Sequence, residues 1–277
     1  GSSEGKIIMN YEMLVLDLDG TLTNSKKEIS DSTRKALIEL QKRGKRVVLA
    51  SGRPINGVQP LADELELSRY GGYILSFNGA NITRCHDKEV IYNRTLSPEV
   101  IPAVYAITAT FPGLDILTYE GENILSGIAP NPYTHREAFI NKMPVVEVSD
   151  FASYLQFPVN KLLVTGEPAI AEQAMYALKK HFHTLLSIYR SEPFFLEIMP
   201  QNIDKAHSLQ RLLCSLGLNE DQMICCGDGY NDVSMIEYAG LGVAMENAQS
   251  VVKDSADFIT RSNDDDGILY VIEKFMK

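Results

Sequence analysis

Short apolar runs that end in small and acidic residues recur along the chain. The first run, residues 13–16 (MLVL), leads into residues 17–21 (DLDGT), and a later run, residues 223–226 (MICC), leads into residues 227–232 (GDGYND). Continuous apolar runs of this length are typical of strands buried on both faces of a parallel sheet. We therefore predict two buried strands that are far apart in sequence and that both end in acidic loops.

A helix and another strand follow the first acidic loop. Ser30 or Asp31 is placed to cap a helix that ends near Gly44, and residues 46–50 (RVVLA) form a further apolar run that leads into residues 51–54 (SGRP). This order predicts a strand-helix-strand unit with parallel strands. Because the carboxyl ends of parallel strands meet along one edge of a sheet, we expect the polar residues after these strands to converge there.

The middle of the chain has a different pattern. Between residues 85 and 192, predicted hairpins and helices follow one another in two similar rounds, whereas single strands alternate with helices on either side. This change predicts an α+β domain inserted into an α/β core. We assign residues 9–84 and 193–277 to the core and residues 85–192 to the inserted domain, which we expect to act as a lid over the sheet edge.

The composition is that of a globular chain with an acidic balance. The chain has 277 residues, 45% of them hydrophobic, and a formal net charge of -10. Nucleic acids and anionic membranes bind clustered lysine and arginine, so the charge argues against both as main partners. No apolar stretch reaches the roughly 18 residues of a membrane-spanning helix and no signal sequence is evident, so we expect a cytoplasmic protein. Residues 1–5 are interpreted as a loose tail outside the fold, and the oligomeric state is left open.

The acidic loops indicate a cation site. Carboxylates gathered at one sheet edge repel one another unless a cation is present, and carboxylate oxygens without Cys or His favour Mg²⁺ over zinc. Taken singly, each Asp-Gly pair is equally compatible with an ordinary turn. A third acidic run, residues 264–266 (DDD), precedes an amphipathic helix, and we interpret it as a helix cap formed by Asn263 or Asp264.

Four motifs in this order resemble the haloacid dehalogenase (HAD) superfamily of phosphohydrolases. They are residues 17–21 (DLDGT), residues 51–54 (SGRP), Lys205 and residues 227–232 (GDGYND). Each motif alone is common, but their order after successive predicted strands is specific. The inserted domain is similar to the type IIB cap, and residues 78–80 (NGA) and 242–248 (GVAMENA) are similar to the Cof subfamily. The resemblance implies a HAD-like fold, in which a doubly wound (Rossmann-like) parallel sheet core of the α/β class carries an inserted α+β cap domain.

The resemblance also implies catalytic and metal-binding residues. Asp17 would be the nucleophile that attacks phosphorus and forms an aspartyl-phosphate. Asp19 would protonate the leaving oxygen and then deprotonate the water that breaks the intermediate. Mg²⁺ would be held by the carboxylates of Asp17 and Asp228 and by the backbone carbonyl of Asp19, while Asp232 would orient these ligands from behind.

The residues that bind the transferred phosphoryl group are implied in the same way. Its oxygens would be bound by the Ser51 hydroxyl, the Leu18 and Gly52 amides, Lys205 as a point charge and the Asn231 side-chain amide. Contact between Arg53 and the substrate is left open. The cap would supply the contacts to the leaving group, and nothing in the sequence identifies which of its residues do so.

The expected function is that of a Mg²⁺-dependent phosphatase of small phosphorylated metabolites, with sugar phosphates as the expected class. Two alternatives stay open. A phosphomutase or other phosphotransferase on the same scaffold would pass the phosphoryl group to a second hydroxyl instead of water. A receiver-like binding module would use the acidic cluster without catalysis, although it would need neither Asp19 nor a large lid.

Overall fold

The computed structural model describes residues 10–277, so the tail expected at residues 1–5 lies outside the described residues. The chain divides into two compact units. The first unit comprises the chain up to Gly52, Pro60–Ile91 and Asp204–Lys277. The second unit comprises Arg53–Gln59 and Tyr92–Ile203.

The strands and helices are numbered in chain order. The strands are β1 (Met13–Leu16), β2 (Arg46–Ala50), β3 (Tyr73–Ser76), β4 (Asn81–Arg84), β5 (Val90–Asn93), β6 (Asp115–Glu120), β7 (Asn123–Ser126), β8 (Val145–Glu147), β9 (Leu162–Thr165), β10 (Leu186–Glu192), β11 (Phe195–Pro200), β12 (Met223–Gly227), β13 (Leu241–Ala244) and β14 (Phe258–Ile259). The α-helices are α1 (Asp31–Lys42), α2 (Ile55–Glu64), α3 (Leu67–Tyr70), α4 (Val100–Ala109), α5 (Pro132–Asn141), α6 (Phe151–Tyr154), α7 (Pro168–Phe182), α8 (Lys205–Leu216), α9 (Val233–Tyr238), α10 (Ser250–Ser255) and α11 (Gly267–Phe275).

An eight-stranded sheet in the order β14-β13-β12-β1-β2-β3-β4-β5 forms the first unit. Strand β1 lies at its centre and pairs in parallel with both β12 and β2, and all four residues of β1 are buried. A strand covered on both faces needs apolar side chains throughout, which explains the uninterrupted apolar runs. The parallel centre confirms the predicted doubly wound α/β core.

The helices of the first unit follow the predicted signals at most positions. The Ser30 hydroxyl accepts a hydrogen bond from the Thr33 amide at 3.3 Å and caps α1, as predicted. Helix α1 contacts α11, and α8 contacts α9. No helix in the described part of the chain is both long enough and apolar enough to cross a membrane.

The interpretation of the acidic run 264–266 as a helix cap is wrong. Helix α11 begins after Asp266 without any side-chain capping hydrogen bond. The Asp264 carboxylate accepts instead from the Ser25 amide at 2.8 Å and from the Ser25 hydroxyl, and the Asp266 carboxylate accepts from the Ser30 hydroxyl at 2.6 Å. These carboxylates find their donors in the loop before α1, which is distant in sequence, rather than in the helix that follows them.

A six-stranded sheet in the order β10-β11-β9-β6-β7-β8 forms the second unit. Its strand pairs are antiparallel except for β7 and β8, which are parallel. Apolar residues from α4, α6 and α7 pack with one side of these strands in a continuous hydrophobic core. This mixture of hairpins and helices is an α+β arrangement, in agreement with the predicted fold class.

The structure places the boundaries between the two units differently from the sequence assignment. Strand β11 pairs with β10 as an antiparallel hairpin and with β9 on its other side. Because both partners of β11 belong to the second sheet, the chain returns to the first unit at Asp204 rather than at residue 193. At the other end, β5 continues the first sheet, and the second unit resumes at Tyr92 rather than at residue 85.

Candidate active site

The two acidic loops lie side by side at the carboxyl ends of β1 and β12. The register of these strands pairs Leu16 with Cys226, and the Asp17 amide donates to the Cys226 carbonyl at 3.1 Å. After Asp17 the chain makes a tight turn, which is closed by the Leu22 amide donating to the Asp17 carbonyl at 3.2 Å. The predicted convergence of the two loops is therefore present in the structure.

Gly20 allows the carboxylate of Asp228 to lie against the first loop. Its backbone has a φ of +79°, and a Cβ atom at this position would lie 2.0 Å from Oδ2 of Asp228. The neighbouring Thr21 hydroxyl donates to Oδ1 of Asp228 at 2.9 Å. A side chain at residue 20 would therefore displace the carboxylate that Thr21 holds.

Lys205 connects the ends of three strands. It is the first residue of α8, whose N-terminus is capped by the Asp204 carboxylate, an acceptor for the His207 amide at 2.9 Å. The Lys205 side chain has no exposed surface. Its Nζ donates to Oδ1 of Asp17 at 3.2 Å, to the Ala50 carbonyl at 2.9 Å and to Oδ1 of Asp232 at 2.6 Å.

Asp232 supports the second loop from within. Its Oδ2 accepts from the amides of Asp228 and Gly229 at 3.0 and 3.1 Å, and its Oδ1 accepts from Lys205. The side chain is fully buried. With both oxygens already engaged by protein donors, Asp232 is better suited to orienting Asp228 than to binding a cation directly.

The carboxylates form a group with the composition of a hard-cation site. Asp17, Asp228 and Asp232 each offer an oxygen, and these oxygens all lie within 4.8 Å of one another. Within residues 10–277, no other group of three or more acidic, His or Cys residues meets this criterion. An oxygen-only donor set with no His or Cys fits Mg²⁺.

The charges in this cluster are unbalanced. Burial raises the pKa of Asp17 well above its usual value, and the neighbouring Asp232 carboxylate raises it further despite the opposing effect of Lys205. Burial and Asp232 also raise the pKa of Asp228. Burial alone would lower the pKa of Lys205, but Asp17 and Asp232 outweigh that effect and raise it, which keeps the lysine charged. One ammonium thus faces three carboxylates, so a divalent cation fits the site electrostatically.

Asp19 stands apart from the clustered carboxylates. Its Oδ1 lies 3.1 Å from Nζ of Lys27, and its side chain is 37% exposed. A carboxyl group outside the metal cluster is what proton transfer requires. Lys27 could not be recognised from sequence as the partner of Asp19, because a lysine eight positions along a loop forms no recognisable pattern with Asp19.

The expected phosphate-binding residues lie along the same edge. The Ser51 amide donates to the Leu75 carbonyl at 2.9 Å, and the Ser51 carbonyl accepts from the Asn78 amide at 2.8 Å. The Asn231 side-chain amide donates to Oδ1 of Asn78 at 2.9 Å. Asn78, which from sequence was only one residue of the motif at residues 78–80, connects the loops that carry Ser51 and Asn231.

The remaining candidates have different surroundings. A Cβ atom on Gly52 would lie 3.3 Å from Oδ1 of Asn78, so Gly52 also adjoins the Asn78 side chain. Leu18 is fully buried, and its carbonyl accepts from the Thr23 amide at 3.1 Å. Arg53 belongs to the second unit, where its guanidinium donates to the Gly57 carbonyl at 3.1 Å.

Comparisons with known proteins find relatives that match nearly the whole chain. The profile of haloacid dehalogenase-like hydrolases matches residues 14–272. The putative phosphatase YxeH of Bacillus subtilis is 30% identical over 276 residues, which cover 96% of this chain and 98% of YxeH. A haloacid dehalogenase-like hydrolase from Bacteroides thetaiotaomicron has a solved structure with a TM-score of 0.93 and 48% identity, covering 96% of this chain and 99% of that one. BT4131, described as a HAD subclass IIB sugar phosphatase, has a TM-score of 0.79 and 26% identity, covering 95% and 98% of the two chains.

Proposed function

The chain belongs to the haloacid dehalogenase-like hydrolases, and from this premise we propose that it is a Mg²⁺-dependent phosphatase of small phosphorylated metabolites that works through an aspartyl-phosphate. The observation that carries the proposal is the group formed by Asp17, Lys205, Asp228 and Asp232. It places the proposed nucleophile Asp17, the buried ammonium of Lys205 and the proposed metal ligand Asp228, which Asp232 supports, at the carboxyl edge of a parallel sheet. Ligands of open α/β sheets bind at this edge.

Asp17 is the proposed nucleophile. Lys205 holds its Oδ1 at 3.2 Å and so fixes the orientation of the carboxylate. In the first half-reaction a carboxylate oxygen of Asp17 forms a bond to phosphorus while the bond between phosphorus and the ester oxygen breaks. Asp19 gives a proton to the departing ester oxygen, which leaves as an alcohol.

The second half-reaction releases phosphate. Asp19, now ionised, takes a proton from a water molecule, and the water oxygen bonds to phosphorus. The bond between phosphorus and Asp17 breaks, which yields orthophosphate and restores both carboxyl groups. Because the Asp19 carboxyl group serves in both half-reactions, this group must stay free of the metal, in keeping with its place outside the clustered carboxylates.

The proposed Mg²⁺ ligands are the carboxylates of Asp17 and Asp228 and the backbone carbonyl of Asp19. The bound ion would offset the repulsion between the nucleophilic carboxylate and the phosphate dianion. Thr21 and Asp232 hold Asp228 in place through its carboxylate and its amide respectively. The proposed donors to the phosphoryl oxygens are the Ser51 hydroxyl, the Leu18 and Gly52 amides and the Asn231 amide. Lys205, whose N–H groups are engaged within the protein, would act on the phosphoryl group through its positive charge.

Sugar phosphates are the proposed substrate class. The support is the similarity over nearly the whole chain to BT4131, which is described as a sugar phosphatase, together with a second unit that we propose acts as the specificity-determining cap. A compact polar alcohol is a poor leaving group, so this class also needs the proton that Asp19 would donate.

The test is a phosphate-release screen over phosphorylated metabolites with and without Mg²⁺. We expect release from sugar monophosphates, without a bisphosphate activator, that stops when the metal is chelated. Asp17→Asn should lower kcat/KM by at least about a thousandfold, as loss of a covalent nucleophile does. Asp31→Asn, which changes an exposed acid on α1, is the matched control and should be unaffected.

Three outcomes of this screen would contradict the proposal. Hydrolysis that persists in Asp17→Asn would exclude the aspartyl-phosphate, because an amide cannot form it. A strict requirement for a bisphosphate would favour a phosphomutase. Full activity in the presence of a strong chelator would exclude the metal.

A further inference from the structure

The turn after β3 has an unusual backbone. Phe77, Asn78 and Gly79 have consecutive φ angles of +51°, +57° and +96°. Positive φ is uncommon for residues other than glycine, and such conformations persist only where surrounding contacts fix them. Two adjacent non-glycine residues in this region therefore mark a turn that the rest of the structure holds in place.

Asn78 makes the contacts that connect this turn to the site. It is 9% exposed. Its amide donates to the Ser51 carbonyl at 2.8 Å, and its Oδ1 accepts from the side-chain amide of Asn231 at 2.9 Å. The same oxygen would lie 3.3 Å from a Cβ atom on Gly52. Through its backbone amide and its side chain, this one residue thus adjoins three of the proposed phosphate-binding residues.

The turn is also fixed to the helix that carries Lys205. The Ser208 hydroxyl, one turn along α8 from Lys205, donates to the Gly79 carbonyl at 2.6 Å. A Cβ atom on Gly79 would lie 2.5 Å from that hydroxyl oxygen. The turn is therefore held from both sides, by the loop after β2 and by the first turns of α8.

We propose that Asn78 is a positioning residue for phosphoryl transfer, which it serves by fixing the side-chain amide of Asn231. This inference rests on the proposed phosphatase function. An asparagine amide has an oxygen end and a nitrogen end of nearly equal shape, and only the nitrogen end can donate. The acceptor oxygen of Asn78 selects the orientation in which the nitrogen of Asn231 faces it. One N–H then bonds to Asn78, and the second is available for a phosphoryl oxygen.

The residue type at position 78 supports a role for the side chain. Glycine adopts positive φ at no steric cost, and asparagine is among the other residues that tolerate it best. A turn that required only the backbone conformation would be satisfied by glycine, as it is at Gly79. What asparagine adds is the amide that accepts from Asn231.

A double-mutant cycle tests this inference. Asn78→Gly removes the side chain without straining the backbone, and Asn231→Ala removes the group that Asn78 is proposed to position. We expect Asn78→Gly to lower kcat/KM by about tenfold to a hundredfold, mainly through kcat, as loss of a residue behind an active-site ligand does. In the Asn231→Ala background, the same change should cost less than about twofold.

The cycle separates a positioning role from a general loosening of the turn. A loss from Asn78→Gly that is equally large in both backgrounds, or absent in both, overturns the proposal. Lys88→Gly is the matched control, because Lys88 has a φ of +60° on an exposed turn of the first unit. That variant should keep the activity of the wild-type protein.

A binding measurement tests the same inference without relying on turnover. Inorganic phosphate with Mg²⁺ should raise the Tm of the wild-type protein, and the apparent Kd for phosphate should be about tenfold weaker in Asn78→Gly. If the wild-type protein hydrolyses no ester but this weakening is seen, the proposed function fails, while the role of Asn78 in positioning Asn231 for phosphate binding stands. If esters are hydrolysed but neither phosphate binding nor kcat depends on Asn78, the inference alone fails.

Discussion

The ammonium group of Lys205 uses its three N–H donors inside the protein, on Asp17, Asp232 and the Ala50 carbonyl. A charge with no exposed surface is tolerated only when it is paired and hydrogen-bonded. Asp232 depends on Lys205 in turn, because its carboxylate is fully buried and this ammonium balances its charge. Lys205 is therefore a structural as well as a chemical part of the site.

Replacing Lys205 by Met should lower both stability and activity. Removing one partner of a buried ion pair leaves the other uncompensated, and we expect the free energy of unfolding to fall by about 3–5 kcal/mol. Loss of the positive charge beside the transferring phosphoryl group should lower kcat/KM by at least about a hundredfold. Urea denaturation and phosphate release at a fixed Mg²⁺ concentration measure the two effects.

The control for this change is Lys253→Met. Lys253 lies 3.6 Å from Glu246 in a partly exposed pair, and such pairs contribute at most about 1 kcal/mol. A Lys205→Met protein as stable as the Lys253→Met protein would show that the buried carboxylates do not depend on the ammonium group.

Gly20→Ala offers a test of the contact between the two acidic loops. Alanine at a φ of +79° has a backbone cost of about 1–2 kcal/mol, and its Cβ would meet Oδ2 of Asp228. We therefore expect the Mg²⁺ concentration for half-maximal activity to rise by about tenfold to a hundredfold, because metal affinity falls by such a factor when the orientation of a ligand is disturbed.

Gly44→Ala separates the backbone effect from the contact. Gly44 has a φ of +88°, and nothing lies within 4 Å of a Cβ atom at that position. The free energy of unfolding should fall by a similar amount in Gly44→Ala and Gly20→Ala, but Gly44→Ala should keep the Mg²⁺ dependence of the wild-type protein. An equal rise in the Mg²⁺ requirement of both variants would mean that Asp228 does not need the space that Gly20 leaves.

The strands and the polar residues at their ends could be predicted because both depend on local patterns. Apolar runs predict β1, β2 and β12, and parallel pairing then requires their carboxyl ends to meet. The partners of those residues could not be predicted. Asn78 meets Asn231 across 153 positions of the chain and Asp264 meets Ser25 across 239, and no spacing in the sequence encodes either contact.

The acidic run 264–266 shows how a local rule was overridden by distant contacts. Aspartates before a helix are good caps in isolation. Here Asp264 and Asp266 bind donors of the loop before α1, and that loop also carries Lys27, the partner of Asp19. The run therefore holds together two segments that lie at opposite ends of the sequence.

Asp264→Ala should loosen the loop before α1. The change removes both acceptors of Ser25, so we expect faster amide hydrogen exchange in residues 23–30 and a loss of about 1 kcal/mol in the free energy of unfolding. Asp265→Ala is the matched control, because the Asp265 carboxylate accepts a hydrogen bond from the Ser262 hydroxyl within its own turn and does not bind Ser25. Equal exchange of the loop in the two variants would contradict this role for Asp264.

The whole chain has two compact units that differ in their expected response to metal. All the proposed Mg²⁺ ligands lie in the first unit. The second unit has its own continuous hydrophobic core, formed by its strands with α4, α6 and α7. The division between the units could not be fully predicted from sequence, because the apolar pattern of β11 is equally suited to either sheet and only its pairing with β9 and β10 decides.

Mg²⁺ should therefore stabilise the first unit selectively. A ligand that binds only the folded state adds about 2.7 kcal/mol of stability at a concentration a hundred times its Kd. We expect Mg²⁺ to slow hydrogen exchange in β1 and β12, whose ends carry the ligands, and to leave α4 and α7 unchanged. Asp228→Asn removes one proposed ligand and should abolish the effect. Equal slowing in both units, or slowing that persists in Asp228→Asn, would show that the ion acts elsewhere, because a cation bound by Asp17 and Asp228 adds contacts only where those carboxylates lie.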